Sequence, residues 1–187
     1  MYIGNLEVYQ GIDLLVSAFA LHHCVRPQDR LIVIGGVVED VTRYRLMADS
    51  MGLADAVEFR GHQPVDQMSR FFSETDVLVS PRIKGTNTPM KIYSYLDAGK
   101  PVLATDLFTH TQVLDDSVAV LTKPEPTDFA EGMRQLSEQA ELRERLGIAG
   151  RDLVRRKYSK AAFQKSLDEI YSYVEQSLRS RDNKKLV

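Results

Sequence analysis

The sequence predicts an α/β domain: a doubly wound, mainly parallel sheet of about six strands with helices on both faces, followed by C-terminal helices. Three observations point there. Short β-rich runs alternate with longer segments of helical period up to about residue 122. "RLIVIGGVV" (30–38) is apolar without alternation, as a strand covered on both faces must be. After residue 126 the strands stop and only helix-period segments follow.

Taken in order, "YIGN" (2–5) reads as the first strand, and "QGIDLLVSAFALHH" after it has helical spacing at Ile12, Leu15, Phe19 and Leu21. His22 and His23 fall at that helix's end, where they complement its dipole. "RLIVIGGVV" is the second strand and ends in Gly35-Gly36, and "DVTRYRLMADSMG" is a helix closed by Gly52. "AVEFRG" is a third strand, "VDQMSRFFSET" a short helix and "DVLVS" a fourth strand. "PMKIYSYLDAG" is a helix, "PVLATD" the fifth strand and "VAVLT" (118–122) the sixth. Strands separated by helices demand right-handed crossovers, which makes this a Rossmann-like arrangement. Three helices close the chain: "TDFAEGMRQLSE", "AELRERLGIAGRDLVRRKY" and "SKAAFQKSLDEIYSYVEQS". The last carries Phe163, Leu167, Ile170, Tyr171 and Val174 on one stripe, a face that needs cover. One domain over 1–177 with a flexible tail at 178–187 is the expected organisation.

Composition narrows the function. With 187 residues, 43% of them hydrophobic, the chain can bury one sizeable core. A net charge of -2 argues against a general nucleic-acid binder. The single cysteine, Cys24, excludes an internal disulfide and fits a cytoplasmic setting. No apolar stretch is long enough to cross a bilayer, and "MYIGNLEVYQ" lacks the pattern of a secretory signal. There is no Cys/His cluster with metal spacing, no G-x-S-x-G elbow, no G-x-G-x-x-G after the first strand and no G-x-x-x-x-G-K-[ST]. Asp115-Asp116 reads as a turn, and Met47, Met68, Tyr93 and Tyr95 as packing residues.

The informative stretch is the connection between the fourth strand and the next helix, "PRIKGTNTPMK". Loops beyond the carboxyl ends of parallel strands are where ligands sit. Thr88 reads as an N-cap with Pro89 at the first helical position, leaving the amides of Met90 and Lys91 free at the positive end of the helix. That is an anion site, most naturally for phosphate. Arg82, Lys84 and Lys91 add charge, and Gly85 permits close backbone approach. His62 after the third strand and His110 after the fifth are further candidates for hydrogen bonds to a ligand.

"PMKIYSYLDAGKPVLAT" (89–105) resembles the P-x-K-x-x-E-Y-x-A-x-G-K-P-V-x-A-T pattern of retaining, GT-B-fold glycosyltransferases of the large group 1 (family 4). "YIGNLEVYQGIDLLVSAF" looks like that family's G-R-L-x-x-x-K-G-x-x-x-L-x-x-A, and "LIVIGGV" its L-x-I-x-G-x-G strand. "VEFRGHQPVDQMSRFFSETDVLVSP" and "ERLGIAGRDLVRRKYSKAAF" are similar to two later segments, so the resemblance spans residues 2–175. It implies the C-terminal, donor-binding half of such an enzyme, with a UDP- or GDP-type sugar as donor substrate and no metal or other cofactor. Hexosyl transfer to a hydroxyl is the implied reaction, very weak or absent without a separate acceptor-binding half. The final helix, which commonly crosses to that half in the family, would otherwise be covered in a homodimer. A non-catalytic binding or assembly module is the alternative, and a nucleotide-sugar epimerase half a more distant one.

Residue by residue, the resemblance also exposes departures. The family's two donor-contacting glutamates align with Thr86 and Ser94. Its diphosphate-clamping arginine and lysine align with Asn5 and Gln10, and the glutamate after its fifth strand with Gln112. All five are neutral here. The expected donor-lining set is therefore Asn5, Gln10, Gly35, His62, Arg82, Lys84, Gly85, Thr86, Asn87, Thr88, Met90, Lys91, Ser94, His110 and Gln112. In that set polar side chains take the sugar and ribose bonds, while Arg82, Lys84 or Lys91 with the helix start replace the lost phosphate charge.

Overall fold

A computed structural model describes residues 1–184. Six strands form in the predicted order: β1 Tyr2–Ile3, β2 Leu31–Ile34, β3 Val57–Gly61, β4 Leu78–Ser80, β5 Val102–Thr105 and β6 Ala119–Thr122. All pairings are parallel, in two three-stranded sheets ordered β1-β2-β3 and β4-β5-β6. Met1 stitches the two together. Its carbonyl accepts from Val79 N–H at 2.9 Å and its nitrogen donates to the Val77 carbonyl at 2.6 Å. The result is the doubly wound order 3-2-1-4-5-6, with the strand order reversing between β1 and β4.

Alternation along the strands sorts the core into two layers. Leu31, Val33, Val79 and Leu103 point to one face, where they pack with α1 (Ile12–Val25), α2 (Val38–Ser50) and α6 (Pro126–Glu138). Ile34, Leu78, Val102 and Ala104 point to the other. There they meet Phe71 of α3 (Met68–Ser73), the Ile92, Tyr95 and Leu96 side of α4 (Lys91–Asp97), and Val154 at the end of α7 (Ala140–Leu153). Tyr95 reaches across the layer, its hydroxyl accepting from Ile3 N–H at 2.9 Å and donating to the Ile3 carbonyl at 3.2 Å. α7 lies close on α4 because Gly147 has no side chain: a Cβ there would sit 2.3 Å from the Gly99 carbonyl oxygen.

The edge strand β3 is blunted. Its register with β2 shifts so that Ile34 faces Gly61, and Glu58 and Arg60 form a two-pronged ion pair at 2.9 Å along it.

Several local expectations are corrected. Val37 and Val38 do not extend β2; positive φ at Gly35 and Gly36 turns the chain, and both valines are exposed at the start of α2. On α1 the buried stripe runs through Leu14, Leu15, Ala18, Phe19 and His22, with Leu21 turned outward. His22 is held by Asp29 at 2.8 Å rather than complementing a dipole in water. A four-residue helix, α5 (Phe108–Thr111), follows β5 and is too short for its period to be read. A π-helical segment, Val154–Tyr158, joins α7 to α8 (Lys160–Lys184). The stripe on α8 is largely uncovered among the described residues: Phe163, Ile170, Tyr171 and Val174 are exposed and Leu167 is half-buried. The tail expected from residue 178 falls on the end of α8 and on residues 185–187, which lie outside those described.

Candidate functional site

The carboxyl ends of β1 and β4 part at the point where the strand order reverses, and residues from several segments of the chain meet there. The chain after β1 and the chain after β2 touch through glycine. Gly35 has φ 107°, and a Cβ there would lie 2.1 Å from the Gly4 carbonyl oxygen. Gly4 in turn leaves room for Lys91, whose Nζ would stand 2.9 Å from a Gly4 Cβ.

Among the expected cations, Lys91 is the one that meets Gln10 and Tyr2 at this seam. Its Nζ donates to Gln10 Oε1 at 3.0 Å and lies 4.0 Å from the centroid of the Tyr2 ring. Burial disfavours its charge and the nearby Arg82 guanidinium adds repulsion, together bringing its pKa down to about 7. No carboxylate is paired with it among the described residues. Gln10 is buried in the 3-10 turn Val8–Gln10 ahead of Gly11. Gly11 is obligatory there: its φ is 74°, and a Cβ would fall 2.1 Å from the Pro81 carbonyl oxygen.

The loop between β4 and α4 is built differently from the simple capped helix that its sequence suggests. α4 begins at Lys91 behind Met90, two residues later than a Thr88 cap requires, and its N-cap makes no side-chain hydrogen bond. Instead Ile92 N–H donates to the Pro89 carbonyl at 3.0 Å and Tyr93 N–H to that of Met90 at 3.2 Å, a tight 3-10 entry. Among the described residues, the amides of Gly85, Thr86, Asn87, Thr88, Met90 and Lys91 have no main-chain acceptor. Since α4 is only seven residues long, its dipole is small, and the amides themselves carry the anion-binding potential.

Arg82 is buried and serves its own loop. Nε donates to the Lys84 carbonyl at 2.8 Å, Nη1 to the Asn87 carbonyl and Nη2 to Asn87 Oδ1, each at 3.2 Å, and the guanidinium lies over Tyr9. Its geometry makes it a staple rather than the freely presented cation expected from sequence. Lys84, Thr86 and Asn87 are exposed on the loop, Thr88 is half-buried, and Met90 is exposed. Gly85 is needed because a Cβ would press on Arg82 Nη2 at 2.5 Å.

His110 is also corrected. It is fully buried, with Nε2 2.9 Å from Ser80 Oγ and Nδ1 2.9 Å from the Thr105 carbonyl and 3.0 Å from Thr105 Oγ1. A carbonyl only accepts, so Nδ1 carries the proton and Nε2 accepts from Ser80. Burial brings its pKa down to about 4, with Lys91 and Arg82 contributing, so the ring is neutral and has no nitrogen left for a ligand. It ties the tips of β4 and β5 together instead. Thr105 Oγ1 passes the link on to the Arg82 carbonyl at 2.5 Å. Sequence reasoning placed His110 in a polar neighbourhood but missed Ser80 and Thr105 as its partners, since nothing in a strand pattern marks a side chain facing a buried imidazole.

The remaining candidates are dispersed around the seam. Asn5 is exposed beside β1, its side-chain amide 3.3 Å from Glu7 and 3.4 Å from the Tyr9 hydroxyl. Ser94 is exposed on α4, and His62 is exposed after β3 at the far edge of the sheet. Gln112 is exposed and donates to the Thr86 carbonyl at 2.9 Å. No three His, Cys, Asp or Glu side chains converge as a metal site among the described residues, and no helix there is long and apolar enough to cross a membrane.

Known proteins are similar to this chain in sequence or in fold. The human alpha-1,3/1,6-mannosyltransferase ALG2 is 29% identical over 186 residues, covering 92% of this chain and 44% of that protein. The phosphatidyl-myo-inositol mannosyltransferase of Mycobacterium leprae is 26% identical over 178 residues, covering 93% and 46%. The chain thus spans less than half the length of these two relatives. Among solved structures, Anabaena Alr3699/HepE in complex with UDP and glucose superposes with a TM-score of 0.78 at 18% identity, over 91% of this chain and 48% of that one. The C-terminal domain of the Francisella tularensis glycosyl transferase group 1 family protein LpcC gives a TM-score of 0.75 at 19% identity, over 85% of both chains. The model of the family "Glycosyl transferases group 1" matches residues 1–153, and the chain, with its six-stranded doubly wound sheet, belongs to that family.

Proposed function

We propose that this domain binds a UDP- or GDP-type sugar across the strand tips at the β1/β4 seam and is the donor half of a retaining hexosyltransferase. The observation that carries the reading is Lys91: among the described residues it has no carboxylate partner, and it directly follows in sequence a run of amides that have no main-chain acceptor. A pyrophosphate supplies what both lack. It desolvates without leaving buried charge uncompensated, because its oxygens accept from amides and ammonium together. The Anabaena structure, whose complex holds UDP and glucose, supports a nucleotide-sugar ligand for a domain of this fold. The mannosyltransferase relatives support a hexosyl donor.

In the proposed reaction the bond from the anomeric carbon to the diphosphate oxygen breaks while the acceptor oxygen bonds to that carbon on the same face. The acceptor proton passes to the departing phosphate. Negative charge grows on the diphosphate, so donors already aimed at it lower the barrier without reorganising. Lys91 and the loop amides fill that role, and the hydroxyls of Thr86 and Ser94 stand where the family has carboxylates for sugar and ribose. The acceptor comes from a separate half, and the setting is cytoplasmic. Alone, this domain transfers sugar very weakly or not at all.

A calorimetric panel of nucleoside diphosphates and their sugars tests the reading. We expect one base class to bind, and Lys91→Met to weaken it about tenfold or more, as loss of a charge-assisted contact does. Absence of binding by every diphosphate, or undiminished binding by the variant, overturns it. A second reading, a self-associating module, is favoured by the uncovered stripe on α8. Light scattering that shows a dimer abolished by Ile170→Lys, together with no nucleotide binding, would replace the first reading with the second.

A further inference from the structure

The loop from Arg82 to Thr88 has an arrangement of carbonyls that the proposed diphosphate site does not by itself require. Four of its carbonyl oxygens are held by side chains. Thr105 Oγ1 holds that of Arg82, Arg82 Nε that of Lys84 and Gln112 Nε2 that of Thr86. Thr109 Oγ1, at 2.7 Å, and Arg82 Nη1 share that of Asn87. Thr109 is itself fully buried in α5, next to His110, and Gln112 is the residue that ends α5.

Peptide planarity turns this into a statement about the amides. In a trans peptide the N–H of residue i+1 points opposite to the carbonyl of residue i. The N–H of Ile83, opposite the first captured carbonyl, is used on the Tyr9 carbonyl at 3.0 Å. Those of Gly85, Asn87 and Thr88, opposite the other three, have no main-chain acceptor among the described residues. Because the captors of the last two are α5 side chains, the N–H groups of Asn87 and Thr88 face away from α5.

We infer that Thr109 and Gln112 are positioning residues for the donor diphosphate: by holding the Asn87 and Thr86 carbonyls toward α5, they preset the loop amides as a phosphate cradle. The inference rests on the proposed donor site and adds how its loop is held. His110 anchors the base of the device, because its ring joins the tips of β4 and β5, from which α5 and the loop both spring. It also assigns a role to the neutral residue at 112. An amide donates to the Thr86 carbonyl, whereas an ionised glutamate has no proton to give, so a carboxylate at this position cannot hold that carbonyl.

The test uses the whole chain and two readouts. Backbone 15N order parameters for residues 85–88 in the ligand-free protein report the loop, and calorimetry with UDP, GDP and inorganic pyrophosphate reports the cradle. We expect order parameters of about 0.85 in the wild type, falling below about 0.6 in Thr109→Val, Gln112→Ala and Gln112→Glu, with Thr109→Ser restoring them. Affinity for the diphosphate that binds, and for pyrophosphate, should fall about fivefold to tenfold in the valine and alanine variants and recover in the serine variant. Unchanged order parameters in Gln112→Ala and Thr109→Val overturn the inference whether or not any ligand binds. Loss of affinity with a rigid loop also overturns it. A wild type with a rigid, variant-sensitive loop that binds no diphosphate overturns the donor site and the assignment of Thr109 and Gln112 to it, leaving the carbonyl-holding device as measured.

Discussion

Lys91 stands where two demands conflict. The ammonium must be kept from water to matter electrostatically, and the same removal pushes its pKa down to about 7. A bound pyrophosphate favours the charged form and raises that pKa again. Affinity for a nucleotide sugar, whose own phosphates do not titrate near neutrality, is therefore greatest below pH 7 and falls as pH rises through the free-state value. Calorimetry from pH 6 to 9 should show that decline, and Lys91→Met should flatten it. Linkage to folding runs the opposite way. With a lysine pKa lowered in the folded state, the unfolded chain binds the extra proton above about pH 7, so this group's contribution to stability rises with pH from there toward the ordinary lysine range. Little of this was legible beforehand. The loop composition marked Lys91 as a candidate, but its hydrogen bond to Gln10 joins residues 81 positions apart, and no spacing rule reports such a pair. His110 was misjudged for a related reason: polar neighbours in sequence suggested an exposed cleft, while the fold turns Ser80 and Thr105 inward to meet the ring.

Elements were read well where their period had room to show. β2 and β5 are continuous apolar runs because both faces are covered, and α6 and α7 carry stripes long enough to recognise. The misreadings are short or transitional. α5 spans four residues, α4 is entered through a 3-10 turn, and Val38 opens a helix behind Val37 as its N-cap although both extend an apolar run. Glycine decides one packing contact that hydrophobic pattern cannot report. With Gly147 2.3 Å (as a virtual Cβ) from the Gly99 carbonyl oxygen, α7 approaches the turn that follows α4 backbone to backbone. Gly147→Ala gains helix propensity of about 1 kcal/mol yet forces that contact apart, and a net loss of about 1–3 kcal/mol is expected. Ile170→Ser on the exposed stripe of α8 is the contrast: within about 0.5 kcal/mol of wild type. Urea denaturation of both variants checks the pair, and equal midpoints would mean that α7 is not held as described.

At the scale of the whole molecule, the seam between β1 and β4 is where the two halves of the sheet could come apart. Among the described residues, the Met1 bonds to Val77 and Val79 and the packing around them are what join the three-stranded sheets directly. The cores bridge the seam more firmly. One layer contains Leu31 and Val33 of β2 with Val79 of β4 and Leu103 of β5, and the other contains Ile34 of β2 with Leu78 and Val102. Both halves therefore share both cores, and a single cooperative unfolding transition is expected. The chain has no tryptophan, so tyrosine fluorescence and far-ultraviolet circular dichroism are the two probes, and non-coincident curves would show the halves melting separately. The doubly wound order and the family were legible at this scale because they rest on the sum of many short runs in sequence. How the donor loop is braced was not, because it depends on α5 folding back over residues 84–88.

The near-neutral pKa of Lys91 has one more consequence, and it is chemical. A sizeable share of this amine is unprotonated at pH 7.5, while ordinary surface lysines are almost wholly ammonium. It lies at the proposed diphosphate site, so a reagent carrying both an aldehyde and a phosphate, such as pyridoxal phosphate, is expected to react with it ahead of other lysines. Borohydride would then fix the adduct, and peptide mapping would read out which lysine the seam has made into a nucleophile.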